Sequence, residues 1–300
     1  MKYFILIEGI IAIIIVTLIN FYPDKVKDFL YTYIYKKEYV IAVANDYYLG
    51  SDYEYIKNYT DDVSNKEELI DYIYYVVNTG SEYADGSCKK EYKECLDDLK
   101  IIADDKELLT LFNNYVHPYN TFKTIYFAYT DNGDFSITIE HIYSKEDIAE
   151  INYVVRSQLQ TLITENMTNV DKIRAIHDYI IDHTKYDTLK IDNIDDDTYR
   201  SKTAYGVLIQ GYGICSGYAD TMSIFLNELG IKNYRISNDS HIWNLIYVNG
   251  KWVHLDATWD DPVSEFNEDR DTYFLISTDE LKKLDDGTHE YNANIFREAY

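Results

Sequence analysis

The chain has 300 residues, of which 46% are hydrophobic, enough for one large or two modest domains and incompatible with general disorder. Its formal net charge of -24 argues against a nucleic-acid partner, because phosphate repulsion removes the term that dominates such binding. A well-solvated acidic surface accounts for that charge, with selection of cationic substrates as the second reading.

Residues Tyr3 to Tyr22 are apolar apart from Glu8, Thr17 and Asn20. Twenty helical residues span about 30 Å, the thickness of a bilayer core, and no small-x-small cleavage pattern follows. The expectation is an uncleaved transmembrane anchor over 1–22. Lysine counting across the span, with Lys25, Lys27, Lys36 and Lys37 after it, favours a cytoplasmic body. A two-residue head ahead of an N-terminal anchor favours export, and the expected body is extracytoplasmic.

Residues 23–120 read as a juxtamembrane and helical region, with Leu69, Ile70, Ile73, Val76 and Val77 on one stripe. Cys88 and Cys95 bracket Lys89-Lys90-Glu91-Tyr92-Lys93-Glu94. A disulfide between them requires a turn, because seven residues of helix would hold the backbones too far apart; two free thiols are the alternative. From 121 onward a second region is expected, running to 300. It opens with Thr121 to Thr130 and Asp134 to Tyr143 alternating around Asp131-Asn132-Gly133, a hairpin signal, and returns to helical period over Lys145 to Thr164.

Val170 to Tyr186 places Ile173, Ile176, Ile180 and Ile181 on one stripe and predicts a packing helix. His177, Asp178 and His183 on it do not make a metal site: histidines six apart do not share a helix face as an i, i+4 zinc pair does. No metal and no cofactor are expected. Asp192 to Asp197 then reads as a charged, solvated loop.

Gly211 to Ala219 reads Gly-Tyr-Gly-Ile-Cys-Ser-Gly-Tyr-Ala, and Ser216 to Leu229 places Ala219, Met222, Phe225, Leu226 and Leu229 on one stripe before Gly230. This predicts a half-buried helix opened by Cys215. A thiol there meets the positive end of the helix dipole, and the unpaired N–H groups of the first turn suit a tetrahedral oxyanion. Gly211, Gly213 and Gly217 are expected to keep bulk away from an approaching substrate. Tyr205 and Gln210 are candidate further oxyanion donors.

Asn249-Gly250 between two apolar runs signals a two-residue type I′ turn. With Val248 opposite Lys251, His241 falls opposite Thr258 and Trp243 opposite Asp256, so His241 and Asp256 become diagonal neighbours on one face. Diagonal pairs lie roughly 7 to 8 Å apart at their backbones, within reach of an imidazole and a carboxylate leaning together. A carboxylate there fixes the imidazole tautomer and stabilises its charged form. His254 is the alternative base and Asp260 or Asp261 the alternative carboxylate if the register slips. Trp243 and Trp259 either line a cleft or pack.

Three ordered blocks carry a resemblance: Ala204-Tyr205-Gly206 with Gly213-Ile214-Cys215-Ser216-Gly217-Tyr218-Ala219, His241-Ile242-Trp243-Asn244, and Asp256-Ala257-Thr258-Trp259-Asp260-Asp261-Pro262. With Ile176-His177-Asp178-Tyr179-Ile180 and Tyr186-Asp187 upstream, the chain resembles the transglutaminase-like superfamily of papain-related cysteine enzymes, in its bacterial and kyphoscoliosis-peptidase forms, over roughly 120 to 277. The resemblance implies an α+β, papain-like transglutaminase fold with a nucleophile helix on an antiparallel sheet, and a catalytic Cys215, His241 and Asp256. It also implies a protein or peptide amide as substrate and a thioester intermediate. Hydrolysis, as a peptidase or deamidase, is the favoured fate of that thioester. Transfer to an amine, making a crosslinking transglutaminase, and a non-catalytic peptide-binding module are the alternatives.

Overall fold

The computed structural model describes residues 20–23, 25–26, 38–50, 59–193, 195–261, 270–284 and 287–299. Residues 1–40 and 41–300 are separate compact units, and the second holds the helices and sheets that position the candidate site. Apart from residues 20–22, the anchor expected over 1–22 lies outside the described residues; among the described residues no helix is long and apolar enough to cross a membrane.

The first layer mixes helix and strand. Helix α1 (Lys66–Thr79) starts where the Asn65 side chain accepts the Glu68 N–H and stops at Gly80, left-handed at φ 69°. Its stripe Leu69, Ile73, Val76 and Val77 is buried as the periodicity predicts. Helices α2 (Cys95–Asp104) and α3 (Lys106–Tyr115) follow. Four strands, β1 (Asp62–Val63), β2 (Tyr83–Cys88), β3 (Phe122–Tyr129) and β4 (Asp134–His141), form a sheet in the order β1-β2-β4-β3. The predicted hairpin is the β3–β4 pair. Strand β2 carries no apolar alternation to betray it, and it exists because β4 supplies its hydrogen-bonding partner. Residues on both sides of 120 therefore share one sheet and one core, and the boundary expected there falls inside it.

Cys88 ends β2 and Cys95 opens α2, so the intervening residues make the turn that a bridge requires, and the two form a disulfide with Cα atoms 6.1 Å apart.

The second layer is helical. Helices α4 (Lys145–Leu162) and α5 (Asn169–His183) both begin with capping boxes, Ser144 with Asp147 and Thr168 with Asp171. The helix predicted to reach Tyr186 ends three residues early, because Thr184 turns extended and β5 (Lys185–Tyr186) pairs in parallel with β6 (Tyr212–Gly213). The short helix α6 (Thr188–Asp192) intervenes. Helix α7 (Cys215–Glu228) is buried from Gly217 to Leu226, where half burial was expected. Its polar residues are paired inside: Asp220 with Tyr143 (2.6 Å) and Arg235, Ser223 with Asn244 (3.0 Å).

Between the layers lies an antiparallel sheet, β7 (Asn233–Ser237), β8 (Ile242–Val248) and β9 (Lys251–Leu255), with β8 central. Asn249 and Gly250 are both left-handed, at φ 53° and 78°, as a type I′ turn demands. The ladder carries the derived register: Val248 pairs with Lys251, Leu245 with His254 and Asn244 with Leu255. Trp243 and Leu245 join the core of the first sheet, whereas Ile246, Val248, Val253 and Leu255 pack with α4, α5 and α7. The sheet is thus covered on both faces, and α7 lies under the face opposite Trp243. The architecture is α+β.

Candidate active site

Cys215 sits at the first position of α7. Ile214 before it is extended (φ -117°, ψ 178°) and no side chain caps the helix, so the N–H groups of the first turn lack a capping partner beside the sulfur. Cys215 is partly exposed and is the free thiol among the described cysteines. Gly213 and Gly217 permit close packing rather than clear a path for substrate, as was expected, and Gly211 is left-handed at φ 76°. A Cβ on Gly217 would lie 2.3 Å from the Ser201 carbonyl oxygen, and one on Gly213 would lie 2.7 Å from the Tyr218 ring.

His241 lies one residue before β8. Its backbone N–H donates to Asn238 Oδ1 (2.9 Å), which also accepts the Ser240 N–H. The ring is stacked on Trp243, centroids 5.6 Å apart, and its Nε2 is 2.5 Å from Asp256 Oδ2. Asp256 leaves Nδ1 open, and the Cys215 sulfur is near enough to the ring to act on its charge. Burial pushes the imidazole down, but the Asp256 carboxylate and then the Cys215 sulfur outweigh it and raise it to about 10.

Asp256 lies one residue past β9, where its N–H leaves the hairpin and donates to the Tyr273 carbonyl (3.2 Å). The expected pairs of Trp243 with Asp256 and His241 with Thr258 therefore do not form, because the ladder ends at Asn244 and Leu255. The side chains meet nonetheless. Asp256 Oδ1 accepts the N–H groups of Thr258 (2.8 Å) and Trp259 (3.2 Å), which turns the chain sharply after the strand. Burial opposes its ionisation, yet His241 and, after it, His289 hold the carboxyl well below the usual carboxylate range.

The alternatives have other partners. His254 accepts the Trp243 indole N–H on Nδ1 (3.1 Å) and has Nε2 3.1 Å from Thr278 Oγ1; burial, then the charges of His289 and Lys282, push it down to about 3. Asp260 lies 3.1 Å from His177 Nε2 and accepts the Tyr273 N–H (2.8 Å), and Asp261 accepts the Tyr218 hydroxyl. His177 Nδ1 faces Asp178 (3.0 Å) and His183 Nε2 faces the Leu208 carbonyl (3.2 Å), so the three residues do not converge. The Tyr205 hydroxyl donates to Glu150 (3.1 Å), which assigns it to another hydrogen bond than one at the sulfur, and Gln210 Oε1 accepts the Arg200 N–H (2.7 Å). Trp243 is buried and acts as the platform under His241. Trp259 stays 42% exposed with its ring edge toward His241, and walls the site on the solvent side.

Two neighbours were given no site role by the sequence, although Tyr186 lies in a segment that carries the resemblance. Tyr186 lies close enough to Cys215 and Asp256 that their charges, after burial, raise its phenol. Its place follows from β5 pairing Tyr186 with Gly213 two residues before the cysteine, and a two-residue strand leaves no periodic signal. His289 Nε2 lies 2.9 Å from the Asp256 Oδ2 that also meets His241. No motif announces it, because it comes from an irregular segment far along the chain. Among the described residues, His241, Asp256 and His289 are the group whose ligand-type atoms crowd within 4.8 Å. Both imidazole Nε2 atoms are at hydrogen-bond distance from one carboxylate oxygen, so the cluster reads as a hydrogen-bonded network rather than a metal site. A groove of about 870 Å³ adjoins the Asn238 to Ser240 turn, with Asn114, Glu290 and Tyr291 in its walls.

A sulfur at a helix start, beside an imidazole held by a buried carboxylate, has the parts for nucleophilic acyl transfer. Among solved structures, the chain is similar to one described as a TGase (16% identity, TM-score 0.34, covering 55% of this chain and 50% of that one). It is also similar to a putative cysteine protease from Cytophaga hutchinsonii (16% identity, TM-score 0.29, covering 43% and 55%). The chain thus spans about half the length of each. Curated protein sequences gave no match. The profile of the Transglutaminase-like superfamily, whose members are usually cysteine-dependent enzymes, matches residues 156–257, which contain Cys215, His241 and Asp256. Residues 156–257 are thus similar to the transglutaminase-like superfamily.

Proposed function

We propose that this protein is a membrane-anchored cysteine enzyme that cleaves amides of proteins or peptides through a thioester on Cys215. The observation that carries the reading is the 2.5 Å contact of His241 Nε2 with Asp256 Oδ2, with the Cys215 sulfur near enough to raise the same ring. Cys215 Sγ attacks the amide carbonyl carbon as its proton passes to His241. The N–H groups at the start of α7 receive the oxyanion, and the intermediate collapses with the C–N bond breaking. His241 returns the proton to the departing amine or ammonia. Water then attacks the thioester with His241 as base, releasing a carboxylic acid and the thiol. Asp256 orients the ring and stabilises its charged form throughout. The partial exposure of Cys215 and the solvent-facing Trp259 support water as the acceptor.

The apolar run Tyr3 to Tyr22 supports the anchor, and the Cys88–Cys95 disulfide supports an extracytoplasmic body, since such bridges persist in oxidising compartments. The substrate is accordingly sought among envelope or external proteins. The test is to incubate the protein and its Cys215→Ala variant with a peptide library, with and without a primary amine, and read the products by mass spectrometry. Backbone cleavage or deamidation that needs Cys215 is expected. Incorporation of the amine as the main product would make it a crosslinking enzyme instead, and no Cys215-dependent product would leave a binding module.

A further inference from the structure

We propose that His289 is a positioning residue of this site, the fixed hydrogen-bond donor that holds Asp256 in place so that the carboxylate can orient His241. The inference rests on the reading of Cys215, His241 and Asp256 as reacting groups, and it adds a fourth side chain from beyond the family-matched segment, which stops at 257.

The Asp256 carboxylate has a partner at every direction the structure shows. Oδ1 is anchored by two backbone N–H groups, those of Thr258 and Trp259. Oδ2 is shared by His241 (2.5 Å) and His289 (2.9 Å). Of those two rings, His241 must change its protonation and its bonding during the reaction, and a carboxylate oxygen held by it alone would move with it. His289 has no such duty. Its side chain is fully buried, and its Nδ1 lies 3.0 Å from Thr288 Oγ1, so a ring protonated on Nε2 donates to the carboxylate while Nδ1 accepts the hydroxyl hydrogen. Tyr273 stacks on one face at 4.7 Å, and Trp243 meets it edge-on at 4.9 Å. The rotamer is therefore fixed by packing, which a positioning group requires.

The backbone around it is fixed as well. Asn238 Nδ2 donates to the carbonyls of Thr288 (2.7 Å) and Glu290 (2.9 Å), on either side of His289, while Asn238 Oδ1 accepts the His241 N–H. One amide side chain thus ties the segments carrying both imidazoles, and Asp256 bridges the same two rings from the other end. A histidine held only for packing would need neither the carboxylate bond nor this clamp.

The test uses the full chain and iodoacetamide, read by intact mass as the rate of Cys215 alkylation, with N-acetylcysteine as the reference thiol. Gln at 289 can place an amide N–H where Nε2 stood, whereas Asn, equally polar, is too short to reach Oδ2. His289→Gln is expected to keep most of the wild-type rate and His289→Asn to lose about 10- to 100-fold, the usual loss for an outer-shell partner. The low-field N–H proton resonance of His241 should stay in place in the Gln variant and shift or broaden in the Asn variant. Wild-type rates and an unmoved His241 resonance in both variants would overturn the proposal. If neither variant folds, Thr288→Val, which removes the hydroxyl beside His289 Nδ1 and leaves the ring and Asn238, should still slow alkylation; a wild-type rate there counts against the idea. The two readings fail separately. Equal alkylation of wild type and His241→Ala would overturn the nucleophile assignment and this inference with it, whereas a fast wild type with indifferent His289 variants overturns this inference alone.

Discussion

His241 and Asp256 meet at 2.5 Å beyond the last rung of their hairpin, each one residue outside the strand that delivers it. Neither side chain is aimed by ladder hydrogen bonds. The aim comes from two turns, Asn238 accepting the His241 N–H and Asp256 Oδ1 accepting its own chain two and three residues on. The imidazole is held at about 10 because the carboxylate, and after it the Cys215 sulfur, outweigh burial. In Asp256→Asn, burial is left with weaker opposition, and His241 should titrate near or below its ordinary 6.5. A histidine Cε1–H titration by NMR checks this; an unmoved His241 midpoint would refute the assignment of cause.

Loss of the base should be costly in rate. His241→Ala is expected to reduce Cys215-dependent turnover by about 10²- to 10⁴-fold, the range for a positioned general acid–base group. Substituting His254, whose nitrogens face Trp243 and Thr278, should change stability far more than the rate measured on folded protein. Initial rates corrected for the folded fraction distinguish the two histidines.

The same pair sets a pH window for stability. His241 is raised, so its contribution is fully present below 6.5 and is lost as pH rises through about 10. Asp256 is depressed, so its contribution is present above 3.8 and is lost as pH falls toward its folded value. The urea midpoint of wild type should exceed that of Asp256→Asn most between about pH 4 and 6.5, with the gap closing toward pH 10. A gap that widened in alkali would contradict these signs.

Much of this site was legible in the sequence. The Asn249-Gly250 turn fixed the register, and the register with the glycine-flanked cysteine singled out Cys215, His241 and Asp256. What was illegible is what periodicity cannot carry. Strand β2, Tyr-Ala-Asp-Gly-Ser-Cys, has no alternation, and its state is decided by β4 more than forty residues later. His289 is placed by side-chain hydrogen bonds to an irregular segment. Gly213 and Gly217 read as openings because a sequence shows that a side chain is missing but not what fills the space.

That packing gives a sharp test at Gly217. A methyl group there would overlap the Ser201 carbonyl oxygen, a backbone atom that cannot swing aside. Gly217→Ala should destabilise by about 1–3 kcal/mol, the usual cost of overpacking, despite the higher helix propensity of alanine. A calorimetric scan with an unchanged or raised melting temperature would show that the loop shifts freely.

Arg235 offers a second stability test, deeper in the structure. Its guanidinium meets Asp220 of α7, the carbonyls of Asn113 and Val116, and Thr121. Arg235→Ala leaves Asp220 buried with Tyr143 as its remaining named partner, and breaking such a pair costs about 3–5 kcal/mol. Denaturant unfolding should show a loss of that order, and Arg235→Lys, lacking the planar fork, should recover little of it.

The core that runs from Val63 through Ile137 to Trp243 and Phe296 makes chain dissection self-defeating. A fragment starting at 121 would bring every side chain of the proposed site with it and still strip β4 of β2 and expose the buried flank of the β7–β8 ribbon. Such a piece would go to inclusion bodies rather than serve as a minimal enzyme, so trimming for crystallisation or assay belongs upstream of Ile41.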